Sequence, residues 1–202
     1  MPRNLRKRIE QYEKITGMSK LARRYFVMNT FDGVLTIFGV LLGSFLAGLM
    51  DARVLVTMGL GAGAAIFISG VWGTYLAESA ERTKSRKDLE RKMLVTLDET
   101  DISEAGKFAT IYVSLIDGIS PLVAILLVLL PFFASAFALL DIVTAYYFSF
   151  FICTLLFVLL GVFLGKLSKE NLARSAVKSL LVGFVCAIVI YGISAITAAP
   201  VH

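Results

Sequence analysis

The sequence predicts an all-α membrane protein with five transmembrane helices, its N-terminus in the cytoplasm and its C-terminus outside. Three observations predict it. The chain of 202 residues is 57% hydrophobic and only 17% charged, with a mean hydropathy of +0.80, too apolar for a soluble domain of this length. Its apolar residues are gathered into five long runs, at 26–50, 54–77, 108–140, 142–165 and 179–201. Of its 20 lysines and arginines, all but Arg53 fall before the first run, between the second and third, or between the fourth and fifth. Basic residues mark the cytoplasmic ends of spans, and that alternation sets the orientation.

Each run is long enough to cross a hydrocarbon core of about 30 Å at about 1.5 Å per helical residue. The third is too long for one straight span, so its helix is expected to end near Phe133, two residues past Pro131, leaving 134–140 as a loop. Four segments follow: a basic amphipathic helix over 1–24, a transmembrane hairpin over 25–78, a cytoplasmic helical extension and acidic loop over 79–107, and three further spans over 108–202. Leu5, Ile9, Tyr12 and Ile15 recur at helical spacing among basic residues, the pattern of a helix lying on the membrane surface. The first apolar run comes too late and is too long for a secretory signal.

The net charge of +5 is spread over loops that meet lipid headgroups, so it does not call for nucleic acid. Cys153 and Cys186 lack metal-type spacing and read as small apolar fillers; the only histidine is the terminal His202.

What remains is the acids. Asp32 is the only charge in the run 26–50. A carboxylate within a span costs about 2.5–3.5 kcal/mol, so it needs a partner, a proton or water. Asp32 is either a solvated acid near the helix mouth or part of an ion pathway, with Met28 and Asn29 one turn earlier able to add a sulfur and a neutral oxygen. Asp117 repeats the Asp-Gly pair in the third span, and Pro121 beyond it removes a backbone hydrogen bond about one turn back. Thr74, Glu78, Glu81, Ser85 and Asp88 follow one helical face at the inner end of the second span, an oxygen-lined ladder or an ordinary solvated one. Asp98, Glu99, Asp101 and Glu104 stand where a helix N-terminus favours acids, or where they could capture metal.

Small residues at four-residue spacing (Gly39, Gly43 and Ala47; Ser175, Ser179 and Gly183) predict close helix packing. Enzyme classes do not fit. A CDP-alcohol phosphotransferase needs Ala-Arg where Thr36-Ile37 stands, the Tyr-Asp and Gly-x-Gly-Asp motifs of intramembrane aspartyl proteases are absent, and neither a P-loop nor a Ser–His arrangement occurs.

Asp32-Gly33 early in the first span, Gly73-x-Tyr75 running into an amphipathic extension, and the last-span stretch Leu172-Ala173-Arg174-Ser175 through Gly183 with Tyr191-Gly192-Ile193 resemble the vacuolar iron transporter family. The resemblance implies a homodimer that moves Fe²⁺ or Mn²⁺ out of the cytosol in exchange for protons. It maps the family's first-span aspartate onto Asp32. The family's acid in a Gly-Glu-Tyr motif falls on Thr74, so either Glu78 and Glu81 take over its role or the ion preference differs.

The expected activity is therefore divalent metal transport with no resident cofactor, Asp32 and Asp117 ligating the ion and Glu78 and Glu81 receiving it. The alternatives are a non-transporting scaffold or lipid-binding membrane protein, or a transporter of another cation. The membrane itself is the plasma membrane if the source is prokaryotic.

Overall fold

The computed structural model describes residues 2–97 and 100–197, with side chains from residue 7 onward. Among the described residues six helices follow one another: α1 (Pro2–Thr16), α2 (Met18–Leu46), α3 (Ala52–Met93), α4 (Asp101–Ala136), α5 (Ile142–Ser168) and α6 (Leu172–Thr197). No strand occurs among the described residues. The five from α2 to α6 are long and apolar enough to cross a membrane, and the chain is an integral, multi-pass membrane protein.

Short polar caps separate the helices. Gly17, at φ 60, ends α1, and Glu13 accepts from both the amide and the hydroxyl of Ser19 at the start of α2. The Asp51 carboxylate accepts from the amides of Arg53 and Val54, Asp141 from Val143, and Asn171 from Ala173, each satisfying orphan donors at a helix start.

Several boundaries differ from the sequence expectation. The basic helix expected over 1–24 stops at Thr16, and Lys20, Arg23 and Arg24 belong to α2 instead. Helix α4 continues past Pro131 to Ala136, because a proline inside a membrane span is tolerated where neighbouring helices and local adjustment satisfy the freed backbone groups. Helix α6 begins at Leu172, well before the apolar run at 179, since hydropathy marks lipid contact and not the start of hydrogen bonding. Helix α3 has 42 residues; at about 1.5 Å each it is roughly twice as long as a hydrocarbon core is thick. Its second half is the expected polar extension.

Two compact units make up the chain: Met1–Met28 with Phe67–Ser120, and Asn29–Ile66 with Pro121–His202.

In the first unit, α3 and α4 run antiparallel. Gly70 faces Gly118, Thr74 bonds Asp117, Arg82 lies beside Gly106 and Arg86 beside Ser103. Glu90 closes the turn by accepting from the Leu97 amide. Helix α1 does not spend its whole apolar face on a membrane surface. Tyr12 turns inward and is buried with Met18, Ala22, Ala105, Ala109 and Val113, while Ile9 and Ile15 remain exposed. The side chain of Leu5 lies outside the described residues.

In the second unit, small residues set the helix spacing. A Cβ on Gly161 would lie 2.7 Å from the Ala176 Cα, and one on Gly183 2.9 Å from the Phe157 ring, so α5 and α6 meet nearly backbone to backbone. Gly39 and Gly43 of α2 face Ile190 of α6. Tyr146 is fully buried among Phe45, Phe132 and Phe150, and its hydroxyl donates to the Leu49 carbonyl at 2.8 Å. Its neighbour Tyr147 is exposed. Helix α6 exposes Phe184, Val185, Ile188 and Tyr191 along its length, a surface that only lipid tails or another apolar chain solvates well.

Candidate functional site

Both Asp-Gly pairs occur where helices cross at their closest, and the glycine explains why. A Cβ on Gly33 would lie 2.6 Å from the Cα and 2.7 Å from the carbonyl oxygen of Pro121, within the second unit. In the first unit a Cβ on Gly118 would meet Val71 and lie 2.7 Å from the Phe67 carbonyl, and one on Gly70 would lie 3.1 Å from the Gly118 Cα. No side chain fits at either crossing, and the preceding aspartate in each case is carried on the next 100° of the helix.

The two aspartates then diverge. Asp117 is buried, 4% exposed, and its Oδ2 accepts a hydrogen bond of 2.6 Å from the Thr74 hydroxyl. Thr74 is itself 8% exposed, so a buried carboxylate is matched by a buried donor. Ser120, in the next turn of α4, donates to the Ile116 carbonyl. Asp32 is exposed and makes neither a hydrogen bond nor an ion pair with a described residue. Met28, one turn earlier on α2, is 56% exposed, and Asn29 between them is half-buried. Asp32 and Met28 thus share an open face of a membrane-spanning helix.

One turn beyond Thr74 on α3, Glu78 is largely enclosed. The Tyr25 hydroxyl donates to its Oε1 at 3.2 Å, and the Arg82 Nε lies 3.5 Å from its Oε2. Glu81 points outward and is exposed. The ladder read from the sequence is therefore split by its neighbours: Thr74 turns to Asp117, Glu78 to Tyr25 and Arg82, while Glu81, Ser85 and Asp88 are exposed.

Of the acids before α4, Asp98 and Glu99 lie outside the described residues. Asp101 accepts from Gln11 at 2.8 Å, and Glu104 from Arg8 at 2.9 Å and from the Tyr12 hydroxyl at 3.0 Å. Both stand in the first turn of α4 and tether α1 to it. Among the described residues no group of three or more His, Cys, Asp or Glu side chains is close enough to hold a metal ion.

Sequence reasoning missed Thr74 as the partner of Asp117 and Tyr25 as the partner of Glu78. A signal for the first was present. Thr74 and Asp117 stand at similar distances on either side of the loop between α3 and α4, so an antiparallel hairpin brings them level.

A model of the VIT family matches residues 23–115, a stretch that includes Asp32, Gly33, Thr74, Glu78 and Glu81 and stops just short of Asp117. The chain is 35% identical over 181 residues to an uncharacterized protein of Methanocaldococcus jannaschii, with 88% of each chain covered.

Proposed function

The chain belongs to the VIT family, and from that premise we propose that it carries divalent metal ions, Fe²⁺ or Mn²⁺, out of the cytosol in exchange for protons, as a homodimer. The observation that carries this reading is Asp32, an exposed carboxylate on a membrane-spanning helix one turn from an exposed methionine. None of the five apolar runs contains a lysine or arginine. A carboxylate in that position needs a cation, a proton or water, and a transported cation alternating with a proton satisfies it in turn.

Asp32 ligates the ion within the membrane. Met28 adds a thioether and Asn29 a neutral oxygen, a set suited to a borderline divalent cation. A second copy of the chain closes the open face of α2, as a two-fold axis repeats the same patch on both partners. Asp117 is the second intramembrane ligand, its carboxylate held in one orientation by Thr74. Glu78 and Glu81 receive the ion at the inner mouth, Glu81 from solvent and Glu78 on exchange of Arg82 for the metal. The basic ends of the spans face the cytosol, which places that mouth on the cytosolic side.

Coupling follows from the ligand chemistry. A carboxylate binds metal only when deprotonated, so each ion bound releases protons and each proton bound releases the ion. Apparent metal affinity accordingly weakens as pH falls.

The test is metal uptake into proteoliposomes loaded with a pH-sensitive dye, comparing Fe²⁺, Mn²⁺ and Ca²⁺ with and without a proton gradient. Metal entry with matching proton exit, strongest for Fe²⁺ or Mn²⁺, is expected. Absence of flux for every ion, from folded and inserted protein, would overturn the transporter reading in favour of a structural membrane protein.

A further inference from the structure

Arg82 follows Glu78 by four residues and Ser79 by three on α3. Long side chains on a helix lean toward its N-terminus and lie over the turn before their own Cα. Glu78 and Ser79 are therefore the two places that an arginine at this position reaches first. The guanidinium takes the first, with its Nε 3.5 Å from the Glu78 Oε2. Both side chains are mostly enclosed, 22% and 14% exposed.

The contact is loose. A good guanidinium–carboxylate bond measures about 2.7–2.9 Å and is often two-pronged. Here a single nitrogen approaches, buried and with no hydrogen-bond partner among the described residues. The other oxygen of Glu78 accepts from the Tyr25 hydroxyl. Arg82 thus gives Glu78 positive charge and little else, and a divalent ion gives more of it.

The second place is open space. Beside Arg82, within the first unit, α3 and α4 part and leave a cavity of about 550 Å³ lined by Ser79, Ser103, Gly106 and Thr110. Gly106 keeps it clear next to the arginine, since the nearest atom an added Cβ would meet is the Arg82 Cδ at 3.9 Å. A hydroxyl oxygen can still accept after giving its own proton away, as the Thr110 hydroxyl does to the Gly106 carbonyl. Arg86 and Lys107 line the same space. A third cation there is repelled, which drives Arg82 back once the metal leaves Glu78.

We propose that Arg82 is a tethered competitor for metal at Glu78. It holds the carboxylate at rest, withdraws toward Ser79 and the cavity when a divalent ion arrives, and so sets the metal concentration at which Glu78 loads. The inference rests on the reading of Glu78 as the residue that receives the metal. Arg82 is a positioning residue, acting through Glu78 and not on the ion itself.

The purified full chain is titrated with Mn²⁺ by calorimetry, and Mn²⁺ uptake into proteoliposomes gives KM and maximal rate. Arg82→Gln is expected to tighten Mn²⁺ binding and lower KM by about three- to five-fold, the scale of one partly exposed ion pair, with maximal rate nearly unchanged. Arg82→Lys keeps the charge and is expected to behave as the wild type. Gly106→Met fills the space into which Arg82 withdraws and is expected to weaken binding by a similar factor. In a Glu78→Gln background neither Arg82→Gln nor Gly106→Met is expected to change Mn²⁺ binding, a result that a merely structural role does not produce.

Unchanged or weaker Mn²⁺ binding in Arg82→Gln overturns the proposal, as does the same effect with Glu78 replaced. Should Arg82→Gln not fold, Gly106→Met decides, and binding equal to the wild type overturns the proposal. Binding tightened by Arg82→Gln without flux in any variant would keep Arg82 as the competitor and remove the transport reading instead.

Discussion

The hydroxyl of Thr74 on α3 donates to the carboxylate of Asp117 on α4 at 2.6 Å, with both residues buried. A threonine therefore stands where the family resemblance expects an acid, and the acid stands across the helix crossing from it. The crossing is close enough for this because Gly70 and Gly118 face each other beside it.

Replacing Thr74 by valine keeps the shape and removes the donor. Hydrogen bonds between transmembrane helices are worth about 0.6 kcal/mol on average and up to about 2. Thr74→Val is expected to lower the thermal midpoint of the purified protein by a few degrees. Asp117→Asn retains an oxygen that can accept from Thr74 and loses the charge. It is expected to keep the wild-type midpoint while metal flux in proteoliposomes falls at least ten-fold. Unchanged flux would make Asp117 a packing residue.

Asp32 has no hydrogen bond or ion pair to lose among the described residues. Asp32→Ala is expected to abolish metal flux without changing the elution profile or helical content. Met28→Leu, which keeps volume and removes sulfur, is expected to shift preference between Mn²⁺ and Fe²⁺ with a smaller loss of rate. If Asp32→Ala transports normally, the pathway does not run past this residue.

The glycines separate close crossings from open faces. Gly33→Ala would drive a methyl into the backbone of Pro121, and overpacking of that kind costs about 1–3 kcal/mol. A lower thermal midpoint and poorer yield are expected. Gly73 has nothing within 4 Å of an added Cβ. Gly73→Ala is therefore expected to be neutral or stabilising by up to about 1 kcal/mol from helix propensity. Equal effects at the two positions would mean that the Gly33–Pro121 contact is not as tight as described.

Glu78 is shared between Tyr25 and Arg82. Glu78→Gln is expected to raise the apparent KM for metal several-fold with a smaller change in maximal rate, as suits a group that receives the ion before translocation. Tyr25→Phe removes a donor that competes with the metal for the same carboxylate. It is expected to lower KM slightly or leave it unchanged. A large loss of maximal rate in either variant would place Glu78 on the translocation step itself.

The number of spans, the two Asp-Gly pairs and the long polar extension of α3 were all legible in the sequence. Hydropathy, chain length and a lone charge in an apolar run are local properties, and lipid imposes the same cost on them whatever their neighbours. The fate of each acid was not legible. Asp32 and Asp117 look alike in sequence, yet one is exposed and the other is buried against Thr74. Nor could the ladder from Thr74 to Asp88 show that Thr74 would turn to Asp117 and Glu78 to Tyr25 and Arg82. Neither could the basic residues Arg82, Arg86 and Lys107 announce that they would line one cavity. An apolar helix in lipid has no polar stripe to say which face turns inward, so rotation and register are set by the small residues at each crossing. The sequence by itself determined what had to be buried in a membrane; only the tertiary structure decided which side chain would meet which.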